Sequence, residues 1–123
     1  MKFIFEKETY DIIGAAMEVH KHLSSGFTEP LYQEAFAYEL ELRNIPFSRE
    51  KELKVKYKEK ILEHFFRAVF ICYDQIIVEL KAVSNLNDAH KVQLLGYLKA
   101  TGHQLGLLLN FGSPSLEYTR VIC

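Results

Sequence analysis

The chain has 123 residues, 49% of them hydrophobic and 13% aromatic, with 25% charged and a formal net charge of −1. That is the length of one domain with a substantial core. The near-neutral balance excludes long-range electrostatic recruitment of nucleic acid, and no apolar run is long enough to span a bilayer. The amino-terminal Met1-Lys2-Phe3-Ile4-Phe5-Glu6 is too short in apolar length for a secretory leader, so a cytoplasmic protein is expected. Cys72 and Cys123 have neither metal-ligand spacing nor a disulfide-rich context, and Cys72, in an apolar run, reads as a buried thiol.

From Glu6 to Leu23 the apolar positions Ile12, Ile13, Ala16, Met17, Val19 and Leu23 recur at helical spacing, and His20 on that stripe reads as a packed, satisfied histidine. Ser24-Ser25-Gly26 stops the helix, Gly26 being free to take positive φ. Thr28 reads as the N-cap of a second helix, with Glu29 and Pro30 in its first turn. This helix is predicted to run to about Asn44, with Leu31, Ala35, Tyr38 and Leu42 on one stripe and Tyr32 and Phe36 beside it. The period then changes. Leu53, Val55 and Tyr57 alternate with Lys54, Lys56 and Lys58, a half-buried strand. The cluster Lys51, Lys54, Lys56, Lys58 and Lys60 is interleaved with Glu50, Glu52 and Glu59 and reads as a solvated strand face. A longer strand is predicted from Ile61 to Cys72, then a tight turn at Tyr73-Asp74-Gln75 and a third strand, Ile76 to Val83. Asn85 or Asn87 caps a third helix containing Val92, Leu94, Leu95 and Leu98 and ending at Gly102. His103 to Phe111 suits a strand covered on both faces, and Tyr118 to Cys123 a short last strand. The order α-α-β-β-β-α-β-β implies an α/β fold with a mixed central sheet and helices packed on it.

The third strand carries the chemistry. Side chains at i and i+2 share a strand face, so Glu79 and Lys81 should project together, away from Val78 and Leu80. A carboxylate can hold a hard divalent cation, and an ammonium beside it can orient a water; an exposed ion pair at a strand end is the other reading. On the third helix Gln93 and Tyr97 stand one turn apart among apolar residues. Either they form an inward polar network or both face solvent. Glu29 is stabilised at a helix start whatever else it does, and Tyr32, three residues on, could hydrogen-bond its carboxylate.

The element order with Glu79-Leu80-Lys81 on the third strand resembles the PD-(D/E)XK nuclease-like core. Closer motifs are similar to the GxxExxY family: Gly26-Phe27-Thr28-Glu29-Pro30-Leu31-Tyr32, preceded by Val19-His20, then Val78-Glu79-Leu80-Lys81-Ala82, Gln93 with Tyr97, and Gly106 to Gly112. The resemblance runs from about Glu6 to Val121 and covers a single domain, 1–123. It implies a magnesium-dependent nuclease acting on DNA or RNA, with Glu79, the Leu80 carbonyl and Glu29 as metal ligands. Lys81 would position the attacking water, and Gln93 and Tyr97 would support the lysine or the substrate.

One departure from the family pattern stands out. Where the family carries Arg-Ala-Asp near the end of the second strand, this chain has Arg67-Ala68-Val69. With the turn centred on Asp74, Val69 falls opposite Glu79, so a metal carboxylate is lost there. Glu63 would lie roughly 20 Å away along the strand, too far to substitute. Glu29 is then the one candidate second carboxylate. Three readings are open: a Mg²⁺-dependent nuclease, a catalytically inactive module that binds nucleic acid or a protein, and an assembly role as a homo-oligomer.

Overall fold

The computed structural model describes residues 4–123; Met1, Lys2 and Phe3, which begin the segment read as too short for a leader, lie outside the described residues. Two helices come first, α1 (Glu6–Leu23) and α2 (Glu29–Leu42), then strands β1 (Phe47–Tyr57), β2 (Lys60–Cys72) and β3 (Ile76–Lys81). Helix α3 (Asp88–Thr101) leads to β4 (Leu105–Asn110) and β5 (Glu117–Ile122). The strands form one sheet in the order β1-β2-β3-β4-β5, with β3 and β4 parallel and every other pair antiparallel. Among the described residues no helix is long and apolar enough to cross a membrane.

The sheet is covered on both faces. Ile76, Val78 and Leu80 pack with Tyr32, Phe36 and Leu40 in an α1–α2 layer. Ile77, Leu108 and Ala68 pack with Leu94 and Leu98 in an α3 layer. Every residue of β4 is buried, as expected for a strand covered on both sides. Helix α3 starts at a reciprocal cap: the Asn87 side chain accepts from His90 N at 3.1 Å, and His90 Nδ1 accepts from Asn87 N at 3.3 Å. It ends at Gly102, whose φ of 79° is left-handed. Tyr73 and Asp74 both take positive φ in the β2–β3 turn, matching the twist of the strands they join. Cys72 is buried, which pushes its thiol up to about 12.

The face of α2 differs from expectation. Leu31, Tyr38 and Leu42 are exposed, while Tyr32, Phe36 and Leu40 are fully buried. The helix offers two neighbouring apolar rows, and the row with the larger rings takes the core, where Phe36 meets Phe70 edge-on at 5.1 Å. Val92 on α3 is likewise exposed. The five clustered lysines, on β1, the turn after it and the first position of β2, are all exposed, as a solvated face requires.

The sheet is irregular at two places on β2. Pairing of β2 with β3 is confined to Phe70–Cys72 against Ile76–Val78, so beyond Phe70 the β1–β2 hairpin leaves β3 and the sheet forks. Alternation in β2 also breaks at this point. Ala68 and Ile71 both lie in the α3 layer, whereas Val69 and Phe70 both pack on the α1–α2 layer. Across the hairpin, Glu50 sits between the Arg49–Phe70 and Lys51–Ala68 pairs with φ of 55°. The β1–β2 register is unchanged across this point, Glu50 facing Val69, and the register shift of the hairpin lies between Lys54 and Lys56.

Candidate functional site

Glu79 and Lys81 emerge from the sheet face that Ile77 turns to α3, and Leu80 between them is buried in the α1–α2 layer. Both polar side chains line a cleft of about 770 Å³ between α3 and the β1–β2 arm. Gln93 and Tyr97 line it from α3, and Phe66 from β2. Four of the expected residues thus line one cavity, Glu79 and Lys81 on the shared face that strand alternation implies. No inward polar network forms there, because Gln93 is exposed and the half-buried Tyr97 ring stacks on Phe66, centroids 3.8 Å apart and 17° from parallel.

Glu79 is electrostatically unusual. Burial pushes its carboxyl up to about 7, with Glu29 and Glu50 adding to the rise and Lys81 opposing it. Near neutral pH the group is therefore divided between protonated and ionised forms. Lys81 alone does not offset the loss of hydration and the two neighbouring acids.

Glu29 is the first residue of α2, partly buried, and accepts from Gln33 Nε2 at 3.4 Å. It does not line the α3-side cleft but lies within electrostatic reach of Glu79. Tyr32 does not hydrogen-bond it. The Tyr32 hydroxyl donates to Ser24 O at 2.5 Å and accepts from Phe27 N at 3.2 Å, while its ring stacks on Phe111 at 4.9 Å. Tyr32 is a brace for the α1–α2 loop, in which Gly26 has φ of 116°. Tyr32→Phe should lower stability by about 1–2 kcal/mol, since two polar groups lose one partner atom; urea unfolding checks this. His20 is buried, and its Nε2 donates to Ser113 O at 3.0 Å, the satisfied core histidine expected.

Val69 and Glu79 are the first residues of their strands beyond the last β2–β3 pair, Phe70–Val78. They flank the fork as the turn geometry implies, yet not on one open face. Val69 packs against the α1–α2 layer and does not line the cleft, because the alternation break turns it over. Sequence reasoning misses Glu50 altogether. It looks like one more charge on a solvated strand, and nothing local in the sequence signals its left-handed φ or its reach to Glu79. Glu29 is thus not the one second carboxylate near the site.

One protein-family model, described as the PD-(D/E)XK nuclease superfamily, matches residues 6–121. The chain belongs to that superfamily. A solved structure titled "Crystal structure of SSO0001" is similar, with a TM-score of 0.50 and 17% identity over 98% of this chain and 79% of that one. At that identity the likeness speaks to the fold alone. No curated protein matches the chain.

Superfamily membership raises the question of a divalent metal. Among the described residues no group of three or more His, Cys, Asp or Glu side chains comes together to hold one. Glu79 is the one carboxylate lining the cleft. A Mg²⁺ ion demands near-octahedral oxygen ligation and typically takes one or two carboxylates plus water and substrate phosphate. Among the residues lining the cleft, the donor set falls short of a preformed cage.

Proposed function

We propose that this is a GxxExxY-type nuclease-like domain that binds nucleic acid at the sheet fork, with Mg²⁺-dependent phosphodiester hydrolysis weakened or lost. The observation that carries this reading is the fork itself: Glu79 and Lys81 open into a cleft with Gln93 and Tyr97, while the flanking β2 position is Val69 rather than an acid. Any Mg²⁺ retained would be held by Glu79, the Leu80 carbonyl and Glu29, with Glu50 as a further carboxylate in reach. Valine supplies no oxygen. The donor set favours the second reading, an inactive binding module, because Glu79 is the one carboxylate among the described residues that line the cleft.

Val69→Asp tests the reading. A carboxylate at position 69 replaces a side chain packed on the apolar α1–α2 layer and adds an acid to the fork beside Glu79, so the metal-free variant should lose about 1–3 kcal/mol. Mn²⁺ should return part of that loss, since it binds the folded form alone. Thermal melting of parent and variant, with and without Mn²⁺, reads both effects. A variant that melts with the parent and ignores Mn²⁺ would show that position 69 is not a ligand position.

A further inference from the structure

The two edges of the sheet are built differently. Strand β1 carries Lys51, Lys54 and Lys56, and its pairing with β2 shifts register between Lys54 and Lys56. Lysines and irregular pairing keep a sheet edge from adding another strand. Strand β5 has neither lysine nor proline and pairs with β4 in one unbroken register from Glu117 to Ile122. Among the described residues no strand pairs with its other side. Cys123 N donates to Gln104 O at 2.9 Å, so by alternation Val121, Thr119 and Glu117 also turn their backbone groups to β4. Tyr118, Arg120 and Ile122 therefore present their N–H and C=O groups outward. Tyr118 and Ile122 are each 47% exposed and share the sheet face of Leu109 and Leu105, the α1–α2 side. Tyr118 there borders a groove on α1 with the exposed Tyr10 and Met17.

We infer that the β5 edge is a homodimer interface, where the strand pairs antiparallel with β5 of a second copy about a twofold axis at Arg120. This axis sets Tyr118 beside the partner subunit's Ile122, and Ile122 beside the partner subunit's Tyr118, on one face. The three outward residues of each strand then close about six backbone hydrogen bonds. An axis at Thr119 would close about four and face each Tyr118 with an arginine. Arg120 meets its own copy at the axis, but its Nη2 donates to Ile4 O at 2.6 Å within its own chain. The charges of the groove balance, Asp11 and Glu18 against Lys21 and Arg43, so a copy is not repelled. Tyr10, Met17, Tyr118, Ile122 and the strand edge expose roughly 600 Å² per subunit, taking about 150–250 Å² for a whole aromatic side chain. Two subunits together reach the total of about 1,200 Å² at which stable interfaces begin. The inference is independent of the nucleic-acid reading, because the fork lies between β2 and β3, away from this edge.

Sedimentation equilibrium of the full chain is the test, at protein concentrations up to about 100 µM, which reveals dimers of micromolar affinity. The parent should sediment at twice its chain mass. Ile122→Pro removes one outward N–H and leaves the pairing with β4 intact, since a proline is tolerated on an edge strand. Tyr118→Lys places a charge at the apolar pair. Each should weaken the dimer at least tenfold, with far-UV circular dichroism unchanged from the parent. Leu42→Lys, at an exposed position on α2, should leave the dimer as it is. A parent that stays monomeric at about 100 µM would overturn the inference, whether or not the edge pairs with some other chain. A dimer that persists in both β5 variants, or dissociates in Leu42→Lys alone, would place the interface elsewhere and overturn it too.

Discussion

Glu79→Gln should raise the melting temperature at pH 8 and leave it unchanged near pH 4. The folded carboxyl titrates at about 7, above its ordinary 4.5, so the folded state holds the proton more tightly than the unfolded chain. Below pH 4.5 both states are protonated and Glu79 costs nothing. As pH rises from 4.5 to 7 the native protein loses stability, and above 7 the whole cost is present. A shift of that size corresponds to at most about 3 kcal/mol. The attraction of Lys81 is already counted in it. Glutamine keeps the shape and never ionises, so the variant should lack this pH dependence and melt roughly 10 °C higher at pH 8. A site that loses stability by ionising is one arranged for something other than the stability of the fold. Melting curves across pH 4–8 decide the matter; a variant no more stable than the parent at pH 8 would mean that Glu79 is not held in a costly environment.

Asn110→Ala should cost about 3–4 kcal/mol and loosen the site end of β3. The Asn110 side chain is fully buried and donates to Val83 O at 2.9 Å and to Glu117 Oε1 at 2.8 Å. Its Oδ1 accepts from Val83 N at 2.9 Å and Gly112 N at 3.1 Å. Val83 lies two residues beyond Lys81, so this amide anchors the chain where it leaves the strand that carries the site. Gly112 completes the junction: a Cβ there would stand 2.4 Å from the Val83 backbone, too close for any side chain. Alanine at 110 would leave four polar atoms short of a partner. It would also release Glu117, whose carboxyl is held below its usual range first by Asn110 and then by the Leu86 N–H. Urea unfolding should show the loss, and amide exchange at Val83 should quicken beyond what global unfolding explains. Exchange at Val83 unchanged relative to the rest of the sheet would contradict the anchoring role.

The parts of the fold legible in the sequence are those that local rules decide. Period-2 alternation places Glu79 and Lys81 on one face of β3, and capping chemistry bounds α3 at Gly102 and at one of two asparagines, of which the fold uses Asn87 rather than Asn85. The apolar run Leu105 to Leu109, interrupted only by Gly106, announces a strand buried on both sides. The features that escape are set by contacts distant in sequence. Which row of α2 faces inward depends on the space left beside Phe70 and Phe111, not on the helix itself. The Tyr32 hydroxyl could reach several oxygens, and only the folded α1–α2 loop selects Ser24. The break at Val69 and Phe70 arises where the hairpin parts from β3, so alternation counted along β2 alone turns Val69 to the wrong side. Glu50, distant in sequence, comes within electrostatic reach of Glu79 in the folded hairpin.

Calorimetric titration of Mn²⁺ into the parent, Val69→Asp and Glu79→Gln at pH 8, where Glu79 is ionised, tests the central claim most directly. Weak binding is expected for the parent, at least tenfold tighter binding for Val69→Asp, or about 1.4 kcal/mol, and none for Glu79→Gln. Tight binding by the parent that survives Glu79→Gln, or a Val69→Asp variant that binds no better than the parent, would contradict a metal site at the fork that Val69 has weakened.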